Sequence, residues 1–487
     1  MSLEDIRNDR LKKLARIRKR GINPYPPVSG RTISIAELLA AFDAKEKEEK
    51  EVTIAGRVMA IREHGGTVFA DMHDGTETVQ GYLKRDVLGD EAFDLFLETI
   101  DIGDFIDVTG KPVHTKRGEP SVEATTWNIL SKSLRSLPEK WVGITDVEER
   151  LRRRYLDILS HPELKELFAK KAKFWDVTRT FLKDRGFLEV ETPTLEVTTG
   201  GAEARPFKTH HNDFDLDVYL RISVGELWQK RLMAAGIPRT FEIGRIYRNE
   251  GSSLEHVQEF TNMEFYAAYM PFEEGKKFVQ DLYRTLAQEV FGTTHFETRG
   301  HTFDVQGEWE ELEYVKTVEK MTGVNVLESS EEELKEKLIE LHVKFDGTTR
   351  ERLTDTLWKY CRKNISGPAF LVHHPKLVAP LSKAHPDDDR LTKTFQVIIA
   401  GSEIGRAHNE LNDPLDQMER FKTQQALIEK GDKEAMMFDS EYVEMLEYGM
   451  PPTFGFGFGE RLFSFMADKP IREAQIFPLM KPRHEQG

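Results

Sequence analysis

The sequence predicts an α+β fold: a small closed β-barrel near the start, then a larger domain of helices and antiparallel strands. Three observations carry this. Five short strand patterns follow one another between residues 51 and 131, separated by glycines and acidic turns. A long amphipathic helix pattern covers His161 to Arg185. The stretch from Thr240 to Tyr269 reads as strand, polar loop, strand, with strict period-two alternation in its second arm.

Composition bounds the class. A chain of 487 residues has room for two or three domains, and 39% hydrophobic with 31% charged content describes a soluble globular protein. No run approaches the roughly 18 apolar residues of a membrane span, and the N-terminal MSLEDIRNDR has no secretory apolar segment, so no membrane partner and a cytoplasmic location are expected. The single Cys361 excludes an intrachain disulfide and a cysteine zinc cluster. A net charge of −15 argues against indiscriminate nucleic-acid binding, so any RNA contact must use local basic patches.

In chain order, residues 1–50 hold a basic helix and a connector. Arg7, Arg10, Lys12, Lys13, Arg16, Arg18, Lys19 and Arg20 share the first twenty positions with Leu3, Ile6, Leu11, Leu14 and Ile17 at roughly helical spacing. Asn23-Pro24-Tyr25-Pro26-Pro27 ends that helix. Residues 51–131 carry the strands Val52–Val58, Thr67–Met72, Thr78–Tyr82, Phe105–Val113 and Ser121–Ile129, with a helix pattern over Gly89–Thr99. Five strands with a helix between the third and fourth fit a barrel of the oligonucleotide-binding type (OB-fold), although composition does not separate it from another small barrel.

A Lys-, Arg- and Pro-bearing linker is expected at 132–155, and a second domain at 156–487. Its first helix places Leu164, Leu167, Phe168, Ala172, Trp175 and Phe181 on an apolar side. Gly186 closes the helix, and a strand over Phe187–Glu191 stops at Thr192-Pro193. A further alternating run, Asp215–Arg221, leads to Gly225-Glu226-Leu227-Trp228. Residues 300–366 read as scaffold helices, one started by the capping box Ser330-Glu331-Glu332-Glu333.

The hairpin carries the chemistry. Phe260, Asn262, Glu264 and Tyr266 share one face of its second arm, and Thr261, Met263, Phe265 and Ala267 share the other. The second set can pack a core while the first offers a ligand an aromatic ring, a carboxylate and a phenol. Arg248, in the loop, is a planar cation suited to phosphate or carboxylate. Near the C-terminus, Phe395–Glu403 and Ile404–Leu411 read as two strands about a tight turn. A bulge at Gly405 would bring Glu403, Arg406 and Glu410 to one face. Gly455-Phe456-Gly457-Phe458-Gly459-Glu460-Arg461 resembles a dinucleotide loop, but too little chain follows for the rest of such a unit. Its glycines permit close approach of backbone to a flat base.

Arg248-Asn249-Glu250-Gly251 with the aromatic and Glu264-Phe265-Tyr266 behind it resembles motif 2 of class II aminoacyl-tRNA synthetases. The helix–Gly–strand–Pro run resembles motif 1, which builds the dimer interface, and Gly455–Arg461 resembles motif 3. Gly200-Gly201-Ala202, Ala204–Phe207 and Thr209–Asn212 are similar to the lysyl branch, and the likeness runs from about residue 50 to the end. The resemblance implies an antiparallel-sheet catalytic domain, a homodimer, ATP as substrate with Mg2+, and L-lysine and tRNA(Lys) as partners. It assigns Arg248 to the lysine carboxylate and α-phosphate, His256 and Arg461 to ATP phosphates, and Phe260 to the adenine. Glu226, Glu264 and the Gly201 backbone would hold the α-amino group, and Glu410 with Tyr266 the ε-ammonium. In the barrel, Phe69 would stack on an anticodon base while Gln80 and Glu119 read base edges.

The chain departs from that pattern in several places. Family members have a shorter segment before Glu226. Where they have a glutamate that holds Mg2+ together with the residue at Glu403, this chain has Gln396, leaving Glu403, Glu410 and a neutral Gln396 as the candidate metal set. Arg406 stands where an asparagine lies near the lysine carboxylate, and Glu460 replaces the usual Asp before Arg461. Three alternatives follow: a sibling enzyme for aspartate or asparagine, which needs a cationic pocket in place of Glu410; an elongation-factor-modifying relative, which lacks the barrel; and a catalytically silent RNA-binding or regulatory relative.

Overall fold

Five strands close into a barrel in the order β1-β2-β3-β5-β4: β1 (Val52–His64), β2 (Thr67–His73), β3 (Thr78–Lys84), β4 (Phe105–His114) and β5 (Pro120–Ser131). The structure is a computed structural model and describes residues 2–137, 145–345, 347 and 349–483. The chain divides into two compact units after Asp146, inside the stretch expected as linker. Residues 138–144 of that stretch lie outside the described residues.

In the barrel, alternation sends Val68, Ala70 and Met72 inward, fully buried, and leaves Phe69 half-exposed on the outer face. Helix α1 (Leu3–Lys19) is started by a capping box on Ser2 and buries Leu14 and Ile17. Arg10 is buried with them and donates to the carbonyls of Ile102 and Arg135 at 2.9 and 3.0 Å, while Lys13 pairs with Asp101 at 2.6 Å. Two members of the expected basic face therefore serve the fold. Arg7, Lys12, Arg16, Arg18, Lys19 and Arg20 remain exposed, as does Leu3, which was expected on the apolar side. Helix α2 (Asp90–Thr99) lies between β3 and β4 in the chain.

The second unit is built on an eight-stranded sheet ordered β9-β10-β11-β12-β13-β8-β7-β6. In chain order these are β6 (Leu188–Glu189), β7 (Arg239–Tyr247), β8 (Glu259–Ala268), β9 (Glu310–Glu313), β10 (Ala369–Val372), β11 (Thr394–Ile399), β12 (Ser402–Asn409) and β13 (Thr453–Gly459). Only the edge pairs β6–β7 and β9–β10 are parallel. The strand expected over Phe187–Glu191 pairs at just two residues, because the turn toward Thr192-Pro193 carries the chain away.

One face of the sheet is covered by α3 (Glu163–Lys183) and α4 (Phe272–Leu286), whose apolar residues join Phe265, Phe395, Phe454, Phe456 and Phe458 in one core. On α3 the buried stripe is Leu164, Phe174, Val177, Thr178, Phe181 and Leu182. Ala172, two residues and so about 200° around from Phe174, is exposed instead of lying on that stripe. The other face of the central strands carries the site.

Candidate active site

The cavity floor is set by register. In β8 and β13, Asn262 lies opposite Gly459, Glu264 opposite Gly457 and Tyr266 opposite Gly455. A Cβ at Gly455 would stand 2.6 Å from the Tyr266 ring, at Gly457 2.8 Å from the Glu264 side chain, and at Gly459 3.0 Å from the Phe260 ring. The three glycines thus let the functional side chains of β8 lie down across β13, while Phe454, Phe456 and Phe458 anchor the strand in the core. The cavity holds about 430 Å3. Phe260, Asn262, Glu264 and Tyr266 all line it, and Met263, Phe265 and Ala267 are fully buried on the far side, as the alternation predicts.

Cations gather at one end. Arg248 lines the cavity with its Nη2 donating to the Ile222 carbonyl at 3.4 Å and its Cζ 5.5 Å from the Phe260 ring centroid. Its Nε is buried without a hydrogen-bond partner among the described residues. Arg461 opens the helix Arg461–Met466 and donates to the Glu403 carbonyl at 3.2 Å. His256 lines the same cavity, its Nδ1 2.7 Å from Ser253 Oγ. Glu460 is fully buried, accepts from the Thr261 backbone N–H at 3.1 Å and pairs with Lys171, so this departure from the usual Asp is an anchor and does not face the ligand.

The strands β11 and β12 meet at the tight turn Ala400-Gly401, both residues at positive φ, 47° and 71°. Val397 faces Gly405 and Ile398 faces Glu403, so the extra residue is Ile404, one position before the expected bulge. That residue reverses the alternation and turns both Glu403 and Arg406 into the cavity. Glu403 Oε1 accepts from Trp358 Nε1 at 2.8 Å. Gln396 lies opposite Arg406, and its Oε1 is 3.0 Å from Nε2 of the buried His374. Arg406 donates through Nη2 to the Val378 carbonyl at 2.8 Å, and its Nε has no partner among the described residues.

The other end is acidic. Gly201, at φ +86°, brings the Gly-Gly turn against Ser223 and Glu226: an added Cβ would stand 2.7 Å from Glu226 Cβ. Glu226 follows Gly225, itself at φ +66°, and starts the helix Glu226–Ala234. Lys230, one turn on, is 2.7 Å from Glu226 Oε1 and also pairs with Glu410. Burial opposes the Glu226 charge, but Lys230 and His408 outweigh it and hold that carboxyl down at about 2. Glu264, buried and facing Glu226, is pushed up to about 7, although it accepts from Val224 N–H at 2.8 Å, Asn262 Nδ2 at 3.0 Å and Tyr266 Oη at 3.0 Å.

Two expectations are corrected here. Glu410 shares a face with Arg406 and His408 but is 1% exposed, paired with Lys230 and set behind the cavity wall, so a substrate ammonium would reach it only in place of His408, which lines the cavity in front of it. For the same reason Glu410 does not join Glu403 as a metal ligand. Glu226, His408 and Glu410 are close enough to ligate an ion together, yet the Lys230 ammonium already bridges the two carboxylates. At the other corner a metal would find one carboxylate, Glu403, with an oxygen bound to indole, an amide whose carbonyl is committed to His374, and a guanidinium. These residues do not fit a full resident magnesium set.

Residues 300–366 are more than scaffold. The helix Arg350–Cys361 sends Arg352, Asp355, Trp358 and Lys359 to the cavity, and Arg362 follows just beyond it. Arg352 reaches Asp432 at 2.9 Å, Glu434 at 3.0 Å and Glu203 at 3.4 Å. The signal was present: charged residues at 352, 355, 359 and 362 recur at helical spacing opposite the buried Leu353, Leu357 and Cys361. In the barrel, the Phe69 ring stacks on Tyr82 with centroids 4.9 Å apart and planes at 5°. Gln80 Oε1 accepts from Ser121 Oγ at 3.1 Å, and Glu119 is exposed before β5.

A cavity with guanidinium groups at one end and paired carboxylates at the other is thus laid on the largely antiparallel sheet. The chain belongs to the tRNA synthetases class II (D, K and N), which match residues 146–481, and residues 52–130 match the OB-fold nucleic acid binding domain. It is 42% identical to the lysine–tRNA ligase of Roseiflexus sp. (strain RS-1), over 99% of this chain and all of that protein. It is also 42% identical to the lysine–tRNA ligase of Thermotoga maritima and 40% identical to that of Bacillus subtilis (strain 168), over 99% of this chain and 97% and 98% of theirs.

Proposed function

We propose that this chain is a lysine–tRNA ligase acting as a cytoplasmic homodimer, with tRNA(Lys), L-lysine and ATP as its substrates. The observation that carries this is the pairing of an acidic amino-acid end, Glu226 and Glu264 with the phenol of Tyr266, to a cationic end, Arg248 and Arg461, in one cavity. The near-full-length likeness to lysine–tRNA ligases supports the choice of amino acid. Among the described residues no helix is long and apolar enough to cross a membrane.

A lysine carboxylate oxygen attacks the α-phosphorus of ATP, the bond to the bridging oxygen of the β-phosphate breaks, and pyrophosphate leaves. A terminal ribose hydroxyl of the tRNA then attacks the lysyl carbonyl and releases AMP. No side chain becomes a covalent nucleophile; the chain positions reactants and neutralises charge. In this reading Arg248 bridges the lysine carboxylate and the α-phosphate, Arg461 and His256 take the outer phosphates, and Phe260 stacks on adenine. Glu226, Glu264 and the Gly201 backbone hold the α-amino group. Pyrophosphate exchange with each of the twenty amino acids tests the reading: lysine alone should support it, and preference for another amino acid overturns it.

The barrel and the catalytic site separate in one variant. Phe69→Ala should lower tRNA charging by the stacking energy of one base, about 1–3 kcal/mol, and leave lysine-dependent exchange unchanged. Equal losses in both assays would return Phe69 to a structural role.

In this reading Arg406, which lies opposite Gln396, would neutralise phosphate oxygens directly. Arg406→Asn alone should damage activation, and Gln396→Glu with Arg406→Asn should restore activity at a steeper magnesium dependence. A parent that forms no adenylate at any magnesium concentration would sink this compensation.

A further inference from the structure

At the acidic end of the cavity the carboxylates outnumber the ammonium that holds them together. Glu226 and Glu410 bring two carboxylates, and the buried Lys230 bridges them with one ammonium. The remaining negative charge faces His408, whose Nε2 is 3.4 Å from Glu226 Oε1 and 3.4 Å from Glu410 Oε1. An imidazole nitrogen at this distance from Glu410 occupies the position that a substrate side-chain ammonium needs in order to reach that carboxylate.

His408 differs from Lys230 in how it is held. Lys230 is fully buried, whereas the His408 side chain is 14% exposed and lines the cavity. Its strand neighbours across the sheet are Thr394 and Gly455, and Gly455 offers no side chain to pack against it. Its Nδ1 is buried without a hydrogen-bond partner among the described residues. The ring is therefore fastened on its carboxylate side by two long contacts, geometry that favours an exchangeable partner over a fixed one.

We infer that His408 is a specificity-determining residue that stands in for the substrate's side-chain ammonium, its Nε2 lying 3.4 Å from Glu226 and from Glu410 until that ammonium displaces it. The inference rests on the reading of this cavity as a lysine-activating site and adds two consequences. His408 weakens lysine binding, because each binding event breaks its contacts. It also blunts rejection of neutral analogues, because the carboxylates keep a partner when the bound side chain lacks an ammonium. A site whose polar groups are left unpaired by the wrong ligand rejects it far more strongly than one that can satisfy itself.

The test is lysine-dependent pyrophosphate exchange by the full chain and its His408→Leu and His408→Val variants, with norleucine as the neutral competitor. Both variants should lower the KM for lysine roughly tenfold, the factor associated with one charge-assisted hydrogen bond. The change in kcat should be smaller, and the preference for lysine over norleucine should widen by a similar factor. His408→Asn, which keeps a donor, should move both quantities less than either aliphatic variant. A merely structural role for His408 would instead raise the KM for ATP and lysine together. If the parent activates lysine but the aliphatic variants show an equal or higher lysine KM, or an unchanged preference, the inference is wrong and the lysine reading stands. If the parent activates no lysine, the reading itself fails.

Discussion

Replacing Arg248 by alanine is expected to lower lysine-dependent pyrophosphate exchange by about 10²–10³-fold, the cost of removing one preorganised charge from a developing anion. The expectation follows from how Arg248 differs from its neighbour. Arg221 is fully engaged: it pairs with Glu242 at 2.5 Å and donates to the Arg245 carbonyl at 2.8 Å. Arg248 makes one 3.4 Å bond to a carbonyl and has a buried Nε without a partner among the described residues. A guanidinium so placed has its hydrogen-bonding capacity directed at a ligand, and its planar fork suits a carboxylate or a phosphate. Because no ion pair among the described residues is broken, Arg248→Ala should leave the unfolding midpoint near that of the parent. Lysine should lose the fork as well, but Arg248→Lys should recover part of the charge effect. An alanine variant within tenfold of the parent would remove Arg248 from the chemistry.

Lys230→Met is expected to destabilise the catalytic unit by about 3–5 kcal/mol, the usual cost of leaving buried charge without its partner. Lys230 is fully buried between Glu226 and Glu410, which are 5% and 1% exposed. Without the ammonium, two carboxylates remain close together, with His408 as the nearest compensating group. Removing one carboxylate as well should relieve most of the repulsion, so Lys230→Met with Glu410→Gln should be more stable than Lys230→Met alone, a non-additivity that a double-mutant cycle measures directly. Chemical unfolding followed by a catalytic-unit tryptophan such as Trp358 reads the effect. A loss below about 1 kcal/mol for the single variant would mean that solvent reaches the cluster and that the pair is no stronger than a surface bridge.

Much of the site was legible in the sequence because it lies on strands, where the period of two fixes which residues share a face. The alternation in Glu259–Ala268 assigned Phe260, Asn262, Glu264 and Tyr266 to the cavity and Met263, Phe265 and Ala267 to the core before any contact was known. The barrel was legible for the same reason, as short alternating runs broken by glycines. The tight turn expected between the two C-terminal strands falls at Ala400-Gly401 and sets Ile398 opposite Glu403. The likeness in the glycine- and arginine-bearing runs then supplied the family.

Tertiary structure decided what alternation leaves open: which charges are already neutralised by the protein itself. Glu410 shares a sequence pattern with Arg406 and His408, yet Lys230, 180 positions earlier in numbering and on another element, claims its carboxylate. Gln396 could donate or accept until His374 fixed its carbonyl oxygen. Arg350–Cys361 falls in a stretch that reads only as scaffold in the sequence, and packing of Leu353, Leu357 and Cys361 turns its opposite, charged side toward the cavity. Periodicity is a local property of the backbone and survives in the sequence. Ion pairing between distant elements depends on distances of a few ångströms set by the whole packed unit, so the chain sequence alone determined the faces and the fold determined the charges they present.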